Sequence, residues 1–247
     1  MFQREINPIK TKSFFLFGPR QTGKSTFAKA LLNPRDLYID LLPQRSFLRY
    51  AKNPGSVREE ILAHLERHPD ALCVIDEVQK IPALLDEVHE LIESKGIRFI
   101  LTGSSARKLR RGAANLLAGR AYTYHLFPLT FKEIGEPFNL DKALRIGTLP
   151  ILWGSGDEVP EEFLRSYSET YLKEEVAAEG LVRDIGPFAQ SLEGEGDVRD
   201  LLTFRHLPLN MLALQSLFQP KQQRMSIFHV HPHFLRPHFH DIIAPSA

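Results

Sequence analysis

The chain has 247 residues, enough for one large α/β domain or for one domain with an appendage. A formal charge of +1 gives no overall field to draw in nucleic acid or a membrane surface, and the single Cys73 excludes a disulfide framework. No apolar run approaches a membrane span and residues 1–12 hold no apolar signal core, so composition predicts a soluble, cytoplasmic protein without membrane association.

In chain order, the apolar run at residues 13–17 predicts a buried strand. Gly18-Pro19-Arg20-Gln21-Thr22-Gly23-Lys24-Ser25 follows and fits G-x-x-x-x-G-K-[ST], with Thr26 next. Two glycines let the backbone turn tightly against an anion, and the loop amides converge on it at the start of the next helix. Lys24 supplies a compact charge for β- and γ-phosphates, and Ser25 a hydroxyl for Mg²⁺. Residues 24–32 read as that helix, with Phe27, Ala28, Leu31 and Leu32 inward. The setting of strand, glycine loop and helix separates this stretch from a chance match.

Further strands are predicted at residues 37–40, 71–75, 97–101 and 122–126. Helices are predicted at 43–52, 56–66, 82–95 and 106–118, the third closed by Gly96. Apolar strands between helices imply a three-layer α/β fold on a five-stranded, mostly parallel sheet. After Pro128 the pattern turns helical, at 130–134, 141–146, 160–182 and 185–192, which predicts a small helical appendage. The expected division is 1–128 for the P-loop domain, 129–194 for the helical region and 195–247 for an irregular tail.

The third strand ends in Asp76-Glu77. In P-loop enzymes such a strand lies beside the one feeding the loop, which sets Asp76 near Mg²⁺ with Ser25 and leaves Glu77 to polarise a water. Placed 52 residues after Lys24 (76 − 24), the pair says more than an acidic surface turn would. The fourth strand ends in Thr102-Gly103-Ser104-Ser105. Either Thr102 or Ser104 could sense a γ-phosphate, and an ordinary turn with a helix N-cap explains the same residues equally well. Arg107 and Arg120 are the candidate charge-stabilising arginines, while Lys108 and Arg111 read as a solvated helix face.

These constellations, with Leu116-Leu117-Ala118-Gly119-Arg120, Phe127-Pro128-Leu129-Thr130-Phe131-Lys132-Glu133 and Tyr171-Leu172-Lys173-Glu174-Glu175, resemble the AAA-type ATPases of a prokaryotic family. In that family a P-loop domain precedes a C-terminal domain of unassigned function. The resemblance spans roughly residues 1–193 and implies a hydroxyl-ended strand between the loop strand and the acidic strand. It implies ATP and Mg²⁺ as ligands, with Lys24, Ser25, Asp76 and Glu77 in the roles given above and Ser104 or Thr102 as sensor.

The expected function is Mg²⁺-dependent ATP hydrolysis driving a conformational change. The alternative is a nucleotide-gated switch that holds a protein or DNA partner with little turnover; a homo-oligomer fits either. A guanine-reading Asn-Lys-x-Asp segment and a Ser-Gly-Gly-Gln stretch are both missing, which disfavours a GTPase and a transporter-type ATPase. From residue 197 glycine is absent, and six of the ten histidines lie at 206 and beyond. Beyond residue 200 one acidic residue, Asp241, stands against four basic ones. This shift suggests a shortened family member with an out-of-frame tail, testable by reading the encoding DNA. His229-Val230-His231-Pro232-His233 is a weak metal candidate, since Pro232 breaks any element that would present the ligands.

Overall fold

A computed structural model describes residues 1–104, 109, 117, 119–154, 163, 164, 166 and 167, all within the first of the chain's two units, Met1–Arg183. Strand β1 (Ser13–Phe17) leads through the loop to α1 (Lys24–Ala30), β2 (Leu37–Asp40), α2 (Gln44–Lys52) and α3 (Gly55–Leu65). Next come β3 (Cys73–Asp76), a 3₁₀ turn (Val78–Lys80), α4 (Leu84–Lys95), β4 (Phe99–Gly103) and β5 (Ala121–His125). Three short helices follow: α5 (Phe131–Ile134), α6 (Leu140–Ile146) and α7 (Pro150–Gly154).

The five strands run in the order β2-β3-β4-β1-β5, and every neighbouring pair is parallel. The fold is therefore α/β on an all-parallel sheet. Strand alternation divides the core into two faces. Phe14, Leu16, Val74 and Ile100 pack with Ala28 of α1, while Phe27, Leu31 and Leu32 lie against the same cluster. On the other face Ile39, Cys73, Ile75, Phe99 and Leu101 pack with Tyr50, Val57, Ile61, Leu84, Leu85, Val88 and Leu91 from α2, α3 and α4. Leu109 and Leu117 join this second cluster. Cys73 is fully buried, and burial pushes its thiol up to about 12, so it serves as a small core residue.

One expectation is corrected by the strand order. The acidic strand β3 does not lie beside the loop strand β1, because β4 stands between them, the order that the family resemblance implies. Strand β4 also begins two residues later than the apolar run suggests. Gly96 ends α4 in a left-handed conformation (φ 65°), and the Ile97 N–H returns to the Leu91 carbonyl at 3.4 Å, so Ile97 closes the helix. The 78–80 turn and α7 are too short for periodicity to reveal. The helix at 106–118, except Leu109 and Leu117, lies outside the described residues, as do most of 160–182, the helix at 185–192 and the histidine-bearing tail.

Candidate functional site

The strand registers set one edge of the sheet. Leu16 pairs with Thr102, Phe17 with Gly103, and Asp40 with Asp76, so β1 to β4 all end at the same edge. Open parallel sheets place their ligands at this carboxyl edge. The glycine loop leaves β1 there.

Gly18 is required by a close approach. A Cβ on it would sit 2.0 Å from the Leu126 carbonyl oxygen, where the chain leaves β5. Gly23 opens α1 in a left-handed conformation (φ 88°), and no side chain caps that helix's first turn, so its amides face the loop. Gln21 is also left-handed (φ 63°) and is exposed at the loop tip. The hydroxyl of fully buried Thr22 donates to the Pro19 carbonyl at 2.9 Å. The buried Lys24 ammonium donates to the carbonyls of Gly18 (2.9 Å) and Pro19 (2.8 Å), which lays its charge across the loop. Thr26 is exposed on α1, Arg20 is exposed in the loop, and the Arg20 carbonyl accepts from the Tyr167 hydroxyl at 3.2 Å.

Asp76 is buried, and both its oxygens are engaged. Oδ2 accepts from the Tyr38 hydroxyl at 2.5 Å, and Oδ1 accepts from the Thr102 hydroxyl. Tyr38 thus holds Asp76 from β2, and the Lys29 ammonium lies 4.6 Å over its ring, so the phenol links Asp76 to α1, the helix that carries Ser25. Burial, followed by the bond to Asp76 and the charges of Asp76 and Asp40, pushes the phenol well above its ordinary range, with Ser25 acting in the opposite sense. The phenol therefore stays protonated and keeps its proton for Asp76.

Glu77 is left-handed (φ 62°), a conformation that costs a non-glycine residue energy and recurs at functional sites. Its N–H donates to the Thr102 hydroxyl oxygen at 3.1 Å. Its carboxylate accepts from the Gln79 amide, which also reaches the Ser104 hydroxyl at 3.3 Å. Gln79 Oε1 is buried and has no hydrogen-bond partner among the described residues. Thr102 thus braces both acidic residues from inside, while half-buried Ser104 is tied to Glu77 through Gln79.

The structure brings Lys24, Ser25, Asp76, Glu77, Thr102 and Ser104 to one edge. It does not bring Arg120 there. Ala121 pairs with Ser13 at the strands' first residues, so Arg120 lies at the opposite end of the sheet, where it bonds Glu93 of α4. Arg107 and Ser105 lie outside the described residues.

Three contributors were missed from sequence. Tyr38 had a faint signal, since it shares its strand face with Asp40 in Leu37-Tyr38-Ile39-Asp40. Gln79 had only its nearness to Glu77. Arg4 had none. Its Nη1 donates to the Thr22 carbonyl at 2.7 Å, its Nη2 to the Phe127 carbonyl at 2.5 Å, and its Nε to Glu133 at 2.9 Å. Arg4 and Glu133 side chains are only 8% and 5% exposed. Burial would raise the Glu133 carboxyl, but bonds from Arg4 and the Glu5 and Thr130 N–H groups, with the Arg4 charge, outweigh it and hold the pKa low.

The donors suit a magnesium nucleotide. Ser25 and Asp76 offer hard oxygens, Lys24 offers a cation, and the loop offers amides. Among the described residues no group of three or more His, Cys, Asp or Glu gathers to hold a metal alone. Mg²⁺ characteristically takes one or two protein oxygens and completes its shell with phosphate and water.

A family model described as an AAA domain matches residues 10–135, just over half of the chain. No curated protein matches it. No helix among the described residues is long and apolar enough to cross a membrane.

Proposed function

The chain belongs to the AAA-domain family, and we propose that it binds ATP with Mg²⁺ and hydrolyses it to drive a conformational change. The observation that carries this reading is the position of the Lys24 loop, Ser25, Asp76 and Glu77 at one sheet edge. Lys24 and the loop amides would hold the phosphates, with Thr26 beside them. Ser25 and Asp76 would hold the metal, which supplies charge neutralisation at the transferring phosphoryl group. Glu77 would take a proton from the attacking water, and Ser104, linked to it through Gln79, would sense the γ-phosphate. Arg120 can serve a nucleotide only in another copy of the chain, given its place at the far end of the sheet. In this proposal residues 1–128 bind nucleotide, 129–194 carry the motion onward and 195–247 form a tail.

A second reading, a nucleotide-gated switch holding a protein or DNA partner with little turnover, is favoured by one observation: the Gln79 amide holds the Glu77 carboxylate. Calorimetric ATP binding and single-turnover hydrolysis distinguish the two. Lys24→Ala is expected to abolish binding. Glu77→Gln is expected to leave binding intact and slow hydrolysis by about 10²–10⁴-fold. Hydrolysis by Glu77→Gln at the parent rate removes Glu77 as the base. Negligible turnover by the parent, with tight ATP binding, selects the switch.

A further inference from the structure

Strand β2 brings to this sheet edge a residue that no P-loop motif contains. Tyr38 and Asp40 share one face of β2, and the register pairs Tyr38 with Val74 and Asp40 with Asp76. The Tyr38 ring spans the two-residue offset along the strands, so its hydroxyl meets Asp76 Oδ2 at 2.5 Å. Helix α1 meets the same ring from above. Lys29 Nζ lies 4.6 Å over the ring centroid, one helical turn after Ser25. Positions i and i+4 of a helix share a face, so the face of α1 that covers the Tyr38 ring also carries Ser25.

The geometry points to Tyr38 as a positioning residue of the metal site. Its hydroxyl holds Asp76 while its ring lies under the α1 face that carries Ser25, and it thereby fixes the spacing of the two hard oxygens and favours Mg²⁺ over the larger Ca²⁺. This inference rests on the proposed assignment of Ser25 and Asp76 to the metal. Two arguments support it. Asp76 accepts one hydrogen bond at each oxygen, from Tyr38 and Thr102, and a carboxylate has acceptor capacity beyond two bonds. Asp76 is braced at both oxygens, and a braced site with few protein oxygens suits the small ion that demands near-octahedral geometry, whereas Ca²⁺ tolerates a loose one.

Tyr38→Phe removes the hydroxyl and keeps the ring under Lys29. ATP binding is measured by calorimetry on the full chain with Mg²⁺, with Ca²⁺ and with EDTA, for the parent, Tyr38→Phe and Asp76→Asn. Expected for Tyr38→Phe is a loss of about tenfold in the affinity gained from Mg²⁺, a typical effect of removing an outer hydrogen bond at a metal site. Affinity in EDTA should be unchanged, and the Mg²⁺ to Ca²⁺ preference should narrow. Mn²⁺ binding followed by electron paramagnetic resonance gives a readout independent of turnover. An unaltered metal increment and preference in Tyr38→Phe overturns the inference, as does an equal loss in EDTA, which would place Tyr38's effect on the loop. A parent without a Mg²⁺ increment, or an Asp76→Asn variant that keeps it all, instead overturns the metal-site assignment, and the role of Tyr38 falls with it. Should Tyr38→Phe fail to fold, Lys29→Ala loosens the ring from outside. The same narrowed preference is expected there to a smaller degree, and an unchanged preference refutes the inference.

Discussion

The glycine loop stands between two different kinds of structure. On one side stand the ends of β2, β3 and β4, where Tyr38, Asp76 and Thr102 hydrogen-bond one another because the sheet register delivers them, and Tyr38 lies under Lys29 of α1. On the other stands Arg4, with hydrogen bonds to the Thr22 and Phe127 carbonyls and an ion pair to Glu133. The strand-end side consists of groups that suit a metal and a nucleotide. The arginine side consists of backbone carbonyls and one buried carboxylate, which suit the holding of a shape. Perturbing the first should change ligand affinity with little loss of stability. Perturbing the second should do the reverse.

Gly18 is where the two sides join, so its substitution has the largest expected effect. The Leu126 N–H donates to the Phe17 carbonyl at 2.7 Å, which locks the chain after β5 against the start of the loop. An alanine methyl at residue 18 would lie 2.0 Å from the backbone oxygen of Leu126, and no rotamer change relieves a clash with backbone. Gly18→Ala should therefore lose ATP binding and also lower the melting temperature, by a cost at or above the ~3 kcal/mol upper end typical of overpacking. Binding at the parent affinity would mean that the two sides are not coupled through this residue.

Arg4 and Glu133 come next. Breaking a buried ion pair from one side typically costs about 3–5 kcal/mol, because the remaining charge is stranded. Arg4→Met should show a loss of that order in denaturant unfolding while keeping the Mg²⁺ increment in ATP affinity. A lost Mg²⁺ increment with stability intact would reverse the assignment of the two sides. The pair also predicts an acid dependence. The folded-state pKa of Glu133 lies below its ordinary value, so its contribution is fully present above the unfolded pKa, about 4.3. That contribution is lost as the pH falls through the lower folded value. Glu133→Gln should flatten this acid limb of stability. An unchanged limb would place the acid sensitivity on other carboxylates.

Legibility follows the same division. The P-loop and the strand ends were readable because each signal is local: a glycine spacing, an apolar run, two acids at its end. Strand order was not local, and the general expectation that β3 lies beside β1 failed because several parallel sheets can be built from one series of strands. Tyr38 was passed over because an aromatic in a strand ordinarily means core, and only the register shows that its hydroxyl reaches Asp76. Arg4 lies 129 residues from Glu133, and no periodicity or spacing rule spans that separation. Glu133 itself was visible only as part of a family-like stretch, without a partner.

The smallest expected effect separates the arginine from the cap beside it. Thr130 starts α5 with a capping box, in which its hydroxyl accepts from the Glu133 N–H at 3.2 Å and its own N–H donates to Glu133 Oε2 at 3.0 Å. The hydroxyl also donates to Glu5 at 3.0 Å. Thr130→Ala removes both hydroxyl bonds but leaves the backbone donor to Glu133, as well as Arg4 and the Glu5 N–H, in place. Its cost should be about 1 kcal/mol, the usual value of an N-cap, with the acid limb and the ATP affinity unchanged. Thr130→Ser should restore most of it, since serine supplies the same oxygen. If Thr130→Ala costs as much as Arg4→Met, the cap rather than the arginine positions the Glu133 carboxylate, and Arg4 is left with the Thr22 and Phe127 carbonyls as its reason for being there.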